Sequence, residues 1–287
     1  MRIDSSKKIL IIGLGLLGGS YGMALRKKGY HVSAITLDRE SIDYAIENNI
    51  ICDGTTEIDA ELIASADIII FALYPHTFVE WVKQNGHLIK EGTVVTDVTG
   101  VKGCVVYDVQ SLLPKGVEFI AAHPMAGREV CGVKNSDDSI FKGANYIVVP
   151  TDKNTFSAIE LCKSLGEELG FKDISVLPPE RHDEMIAFLS QLTHCIAVAL
   201  MCASDDPNLE RYTGDSFRDL TRIANINDEM WSELFLSNRE TLLSQMDSYK
   251  DTFERIYNCI KNGDREEMRS MMRISSERRR NFDKKKV

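Results

Sequence analysis

Short, unbroken apolar runs punctuate the first 177 residues. The segments at 8–12, 31–37, 67–73, 93–98, 117–121, 145–149 and 174–177 read as strands, and the unbroken runs among them, 9–12 and 68–73, predict strands buried on both faces. Longer stretches lie between them. Those at 16–28, 40–48, 77–85, 101–113 and 155–169 predict helices. Strands alternating with helices of this length imply βαβ units and a doubly wound, mostly parallel sheet. Leu177-Pro178-Pro179 marks a change, because no strand signal follows it. Residues 180–203 are apolar with helical periodicity, and further helices are predicted over 208–224, 228–262 and 264–280. The expected organisation is therefore an α/β domain over 1–177 and an all-helical domain over 178–287. The last helices carry more apolar faces than a small lone domain buries. Helix exchange between two subunits would cover them, so a homodimer is expected.

The turn after the first run is the most informative segment. Gly13-Leu14-Gly15-Leu16-Leu17-Gly18-Gly19-Ser20 follows the strand directly and opens a helix. This is the dinucleotide-binding fingerprint of a Rossmann-type domain. Gly13 permits the tight turn, Gly15 lets the backbone approach a pyrophosphate, and Gly18 lets helix and strand pack closely. The helix N-terminus offers free amides to the phosphates. Asp38, at the end of the second strand, stands where an acid binds the adenosine ribose hydroxyls. Expected cofactor contacts are Gly13, Gly15, Leu16, Leu17, Gly18, Asp38, Arg39 (toward phosphate or adenine), and Leu73 with Tyr74 at a later strand end. The expected cofactor is NAD, because Asp38 repels a 2′-phosphate.

Composition narrows the class. At 287 residues, with 44% hydrophobic and 27% charged residues, the chain is an ordinary globular protein. A net charge of −9 argues against general nucleic-acid binding, although basic residues cluster at 278–280 and 284–286, read as a frayed, solvated end. No signal peptide is read at the N-terminus, and the uncharged stretch 9–25 is better explained as strand, turn and helix than as a membrane span. Seven cysteines without a CxxC pair fit reduced thiols, a cytoplasmic setting and no metal site.

Ligands of open α/β sheets sit at the carboxyl ends of the strands, which selects the loops at 72–75, 97–102 and 123–129. His123 is expected just after a strand end, where an imidazole accepts a proton near neutral pH, as hydroxyl oxidation requires. Ser190 and His194, four apart on the first helix of the second domain, share a face. Arg218 and Arg222 flank an apolar stripe, and the arginine fork suits a carboxylate.

Together these segments resemble the prephenate dehydrogenase family. The matching pieces are 13–20, Asp97-Val-Thr-Gly-Val-Lys102, His123-Pro-Met-Ala-Gly-Arg-Glu129, Ser190-Gln-Leu-Thr-His194, and Asp219-Leu-Thr-Arg-Ile-Ala224 followed by Trp231. They occur in the family's order and span nearly the whole chain. The resemblance implies NAD-dependent oxidative decarboxylation of prephenate, with His123 as base, Arg222 on a substrate carboxylate, and His194, Glu129 and Thr99 lining the pocket. Arogenate, with an amino-acid side chain on the ring, is the alternative substrate. Other hydroxy-acid dehydrogenases, or an NAD-binding regulatory protein without catalysis, are more distant readings. Three departures stand out: Gly100 where the family carries serine, Thr193 where proline usually precedes the histidine, and Asp215 where glycine is frequent. Thr99 either replaces the missing hydroxyl or does not, and Asp215 either tunes the pocket or faces solvent.

Overall fold

A computed structural model describes residues 2–128 and 130–282. The chain forms two compact units, Met1–Arg239 and Glu240–Val287. In the first, strands β1 (Lys8–Ile12), β2 (His31–Ile35), β3 (Asp53–Thr55), β4 (Ile68–Phe71), β5 (Val94–Asp97) and β6 (Glu118–Phe119) form a parallel sheet in the order β3-β2-β1-β4-β5-β6. The order reverses at β1, so the turns after β1 and β4 open a crevice at the sheet's carboxyl edge.

Both faces of the sheet are covered, as the unbroken apolar runs require. Ile9, Ile11, Val32, Ile68 and Ile70 face one core, with α1 (Leu16–Lys27), α2 (Arg39–Glu47) and α6 (Phe156–Leu169) packed on it through Tyr21, Leu25, Ile42, Leu161 and Leu165. Leu10, Ile12, Ile69, Phe71 and Val95 face the other. There α3 (Ala60–Ser65), α4 (Pro75–Asn85) and α5 (Val106–Leu112) supply Ile63, Phe78, Val82, Val106 and Val109. Strand β3 and helix α3 were not expected. Gly54 sits so close to β2 that a Cβ would lie 2.8 Å from the Ala34 carbonyl oxygen, and an edge strand with glycine leaves no apolar run to read.

A second sheet, β7-β8-β9, corrects the expectation for His123. β7 (Ala121–Met125) runs antiparallel to β8 (Asn145–Val149), with His123 opposite Ile147; β9 (Asp173–Val176) is parallel to β8. His123 thus lies inside a strand rather than after one, on backbone stiffer than a loop.

Beyond β9 the chain is helical: α7 (Pro179–Ile186), a π turn over Ala187–Gln191, α8 (Leu192–Cys202), the single turn α9 (Leu209–Tyr212), α10 (Asp215–Thr221), a 3-10 turn Arg222–Ala224, and α11 (Asp228–Ser237). The expected helix over 228–262 is two helices, α11 and α12 (Arg239–Asn262), broken at Asn238. That side chain is buried, donating to the Asp183 carbonyl at 3.0 Å and to Gln191 Oε1 at 2.8 Å. Pro179–Cys202 is long and apolar enough to cross a membrane by length and composition, yet it carries the buried polar groups His182, Asp183 and Gln191.

The second unit is the remainder of α12 with α13 (Arg265–Arg280), joined by a turn at Gly263 and Asp264, whose carboxylate caps α13. Arg278 to Arg280 form the last turn of α13, where basic side chains complement the helix dipole. The basic residues 284–286 lie outside the described residues.

Candidate active site

The glycine turn is shaped by neighbours on three sides. Gly13 has φ +96°, a left-handed value, and a Cβ there would lie 2.5 Å from the Ala72 carbonyl oxygen after β4. A Cβ at Gly18 would overlap the Gly13 carbonyl oxygen. Gly15 differs. It is the N-cap of α1, contributes no side-chain cap, and a Cβ there would meet nothing within 4 Å. The first amides of α1 therefore face an open approach, with no acidic residue in the first turn to compete for them. That donor set fits a pyrophosphate. Leu16 and Leu17 open this helix, and Leu73 packs directly against Gly13. Tyr74, partly exposed, is the N-cap of α4.

Gly19 answers a packing demand outside the fingerprint. A Cβ there would overlap the Ser136 hydroxyl. The segment after β7 lies along α1, with the Asp137 amide donating to Ser20 Oγ at 3.0 Å and Lys27 paired with Asp138 at 2.5 Å.

Asp38 sits beyond β2 and caps α2. Its carboxylate accepts from the Glu40 and Ser41 amides, both at 3.1 Å, and from the Ser41 hydroxyl at 2.6 Å. These bonds, the hydroxyl foremost, hold its carboxyl below the usual range. The same carboxylate is thus an N-cap as well as an acid at the end of the second strand. Arg39 is paired with Asp43 at 2.7 Å on the same helix. Leu37 is 95% exposed beside Asp38, an apolar surface at the cofactor end that was not anticipated.

The densest polar construction lies under β7. Asp97, at the end of β5, and Lys102 are both fully buried and paired at 2.6 Å. Asp97 Oδ1 accepts the Ala122 amide at 3.0 Å, while Lys102 Nζ donates to the Ala122 carbonyl at 2.6 Å. One buried ion pair thus holds both backbone groups of the residue before His123. This knot also explains why the helix expected from 101 begins only at Val106. Burial pulls the Lys102 ammonium below its ordinary value, against the attraction of Asp97. Thr99 belongs to the same knot: its hydroxyl bonds Asp97 and receives a bond from Lys102 at 3.1 Å. With 3% exposure, Thr99 braces the pair from a position closed to solvent.

His123 Nδ1 lies 2.9 Å from His182 Nε2, and His182 Nδ1 lies 2.7 Å from Asp183 Oδ1. Burial above all, with the Lys102 ammonium nearby, pushes the His123 pKa well below its ordinary 6.5. His182 and Asp183 escaped sequence reading because they lie on α7, 59 residues from His123 in the chain. A His-Asp dipeptide at a helix start carries no signal until the fold aims it.

Helix α11 joins the remaining groups. Leu234 and His123 Cε1 both flank Gly100, 3.7 and 3.9 Å from where a Cβ would stand. A Cβ at this position would make only ordinary van der Waals contacts. Glu233 accepts the His76 amide at 2.8 Å, tying α11 to the first turn of α4. Trp231 stacks on His194 with ring centroids 3.7 Å apart. His194 donates from Nδ1 to the Ser190 carbonyl at 2.9 Å, so these two residues meet through backbone rather than the serine hydroxyl. Arg222 is exposed on the 3-10 turn that packs beside α8, the helix of His194. Asp215 is exposed and paired with Arg218 at 3.4 Å. Glu129 lies outside the described residues. Among those described, no cluster of His, Cys, Asp and Glu could hold a metal ion.

Residues 21–175 match the family model for the nucleotide-binding domain of prephenate dehydrogenase, and residues 178–274 match the model for its dimerization domain. The chain belongs to the prephenate dehydrogenase family. A prephenate dehydrogenase of Lactococcus lactis is 32% identical over 258 residues, covering 87% of this chain and 70% of the relative. A cyclohexadienyl dehydrogenase of Zymomonas mobilis is 27% identical and covers 90% of each. The crystal structure of prephenate dehydrogenase from A. aeolicus, in complex with hydroxyphenyl propionate and NAD+, superposes with a TM-score of 0.89 at 30% identity, covering 98% of this chain and all of that one. The nucleotide-binding match begins just beyond the glycine turn, and the dimerization match covers the helical region from residue 178 to residue 274.

Proposed function

We propose that the chain is an NAD-dependent prephenate dehydrogenase, converting prephenate to 4-hydroxyphenylpyruvate and carbon dioxide. The observation that carries this reading is the position of His123 beside Gly100, which lies in the turn that follows β5 at the carboxyl edge of the parallel sheet. The residues present fit NAD: the open amides of α1 would hold the pyrophosphate, Asp38 and Leu37 would meet the adenosine, and Leu73 and Tyr74 follow β4 beside the glycine turn. When bound, NAD supplies the acceptor for the hydride that leaves the ring carbon. His123 takes the proton of the ring hydroxyl on that carbon. Loss of the ring carboxylate as carbon dioxide then leaves an aromatic ring. Arg222 pairs with a substrate carboxylate, and His194, held flat by Trp231, and Glu129 line the pocket. The nucleotide-binding domain is taken as 1–177 and the helical substrate and dimerization domain as 178–287. The enzyme works as a cytoplasmic homodimer joined through its C-terminal helices.

The test is a steady-state comparison of prephenate and arogenate, each with NAD and NADP. Prephenate with NAD should give the highest kcat/KM. Preference for arogenate would replace the substrate; preference for NADP would remove Asp38 from the ribose site. No NADH from either substrate would overturn the assignment.

A further inference from the structure

We propose that His182 and Asp183 form a positioning relay that holds neutral His123 with Nδ1 protonated and Nε2 bare, making Nε2 the proton acceptor. The proposal rests on the reading of His123 as the base. It follows from counting donors and acceptors. Asp183 Oδ1 faces the Lys102 amide at 2.8 Å and Oδ2 faces the Gly103 amide at 2.7 Å. A carboxylate held by two backbone donors only accepts. The third contact, at 2.7 Å, therefore needs a proton on His182 Nδ1.

Burial, with Lys102 nearby, drives the His182 pKa down, while Asp183 and Asp97 oppose this less strongly. Neutral His182, protonated at Nδ1, has a bare Nε2. At 2.9 Å that nitrogen must receive a proton from its neighbour, which is His123 Nδ1. The reverse arrangement would set a bare His182 Nδ1 against a carboxylate, lone pair against lone pair. A cationic His182 is disfavoured by full burial beside the Lys102 ammonium.

The relay also suits the step that follows. After His123 takes a proton, its Nδ1–H still points at His182 Nε2, with the Asp183 carboxylate behind it. The charge appears against acceptors already in place, so nothing reorganises. His182 touches no substrate in this scheme; it acts through His123. The charged groups facing the pair are Lys102 and Asp97 from β5 and the loop after it, and Asp183 from α7.

The test combines a spectrum with two substitutions. In the intact protein, 15N-detected histidine spectra, assigned by loss of signals in His123→Asn, should show Nδ1 protonated and Nε2 bare at His123. The opposite tautomer, or an even mixture, overturns the proposal whether or not prephenate turns over. His182→Asn keeps an amide near the Nδ1 position and loses His123, whereas His182→Gln keeps an acceptor near the Nε2 position. For His182→Asn we expect kcat to fall at least roughly tenfold, as when an orienting partner of an imidazole is removed. The acid limb of kcat/KM should move to lower pH, with Tm and the KM for NAD little changed. His182→Gln should recover part of kcat. A kcat that only tracks Tm across both variants, with an unmoved pH profile, would make His182 a packing residue. No turnover by the wild type would instead sink the proposed function and leave the spectrum to judge the relay.

Discussion

In the proposed reaction His123 is the base and Arg222 the anchor, and each role is measurable. His123→Asn keeps a polar side chain and removes the base. The expected loss in kcat is roughly 10²- to 10⁴-fold, with NAD affinity nearly unchanged; near-normal turnover would exclude His123 from the mechanism. The imidazole works as a base only when neutral, and burial lowers its pKa below the ordinary 6.5. Activity should therefore persist as the pH falls through 6.5, and kcat/KM should drop only at lower pH. A wild-type profile with its acid midpoint above 6.5 would contradict this assignment. Arg222→Ala removes a two-pronged, charge-assisted contact. The KM for prephenate should rise by about tenfold or more, while kcat and the KM for NAD hold, because an interaction equal in ground and transition states affects only KM. Arg222→Lys should restore part of the affinity, since a point charge lacks the planar fork. Lower Tm with an unchanged prephenate KM would mark this arginine as structural.

Between elements, closeness of approach explains more than side-chain chemistry. Gly18 and Gly19 are adjacent, yet they answer to different neighbours. Gly18 faces backbone, the Gly13 carbonyl, which cannot move without opening the turn; Gly19 faces the Ser136 side chain. Gly18→Ala should therefore raise the KM for NAD and resist rescue. Gly19→Ala should lower Tm, and Ser136→Gly in that background should restore part of the loss, because the hydroxyl and Cβ in the way are gone. Val133 Cγ2, 3.0 Å from the added methyl, keeps the rescue incomplete. Melting curves of the two single variants and the double variant decide it, and equal Tm for Gly19→Ala and Gly19→Ala/Ser136→Gly would refute the packing explanation. The buried Asp97–Lys102 pair works at the same scale. It crosses from β5 to β7 and substitutes for backbone partners at the point where the strand leaves one sheet for the other.

The whole molecule leaves apolar surface on its last helices. In α12 and α13, Leu243, Phe253, Tyr257, Ile260 and Met272 are all exposed. A dimerization domain that buries such faces against a second copy is the simplest symmetric solution. Light scattering at low micromolar concentration should give about twice the chain mass of 32.2 kDa. A stable monomer there would contradict the dimer.

Much of this was legible along the chain. Unbroken apolar runs announce strands covered on both faces, since a parallel sheet leaves no face for alternation to report. The glycine turn announces its use, because only glycine tolerates the left-handed φ of Gly13 and the overlap at Gly18. The shared helix face of Ser190 and His194 was legible through spacing, and the structure shows the contact between them. What escaped depends on contacts between distant residues. His182 and Asp183 gain meaning only when α7 is laid under β7. The bracing role of Thr99 shows only when Lys102 is seen buried beside it. Asp38 looks like a ribose ligand alone until α2 is seen to start on it. Asn238, which breaks the expected long helix, is an ordinary surface residue by composition and becomes a buried bridge because Asp183 and Gln191 turn toward it. Periodicity and backbone permission are local properties that a sequence displays. Which polar group satisfies which is settled by the fold, because burial gives each unpaired donor or acceptor a cost that water would otherwise remove.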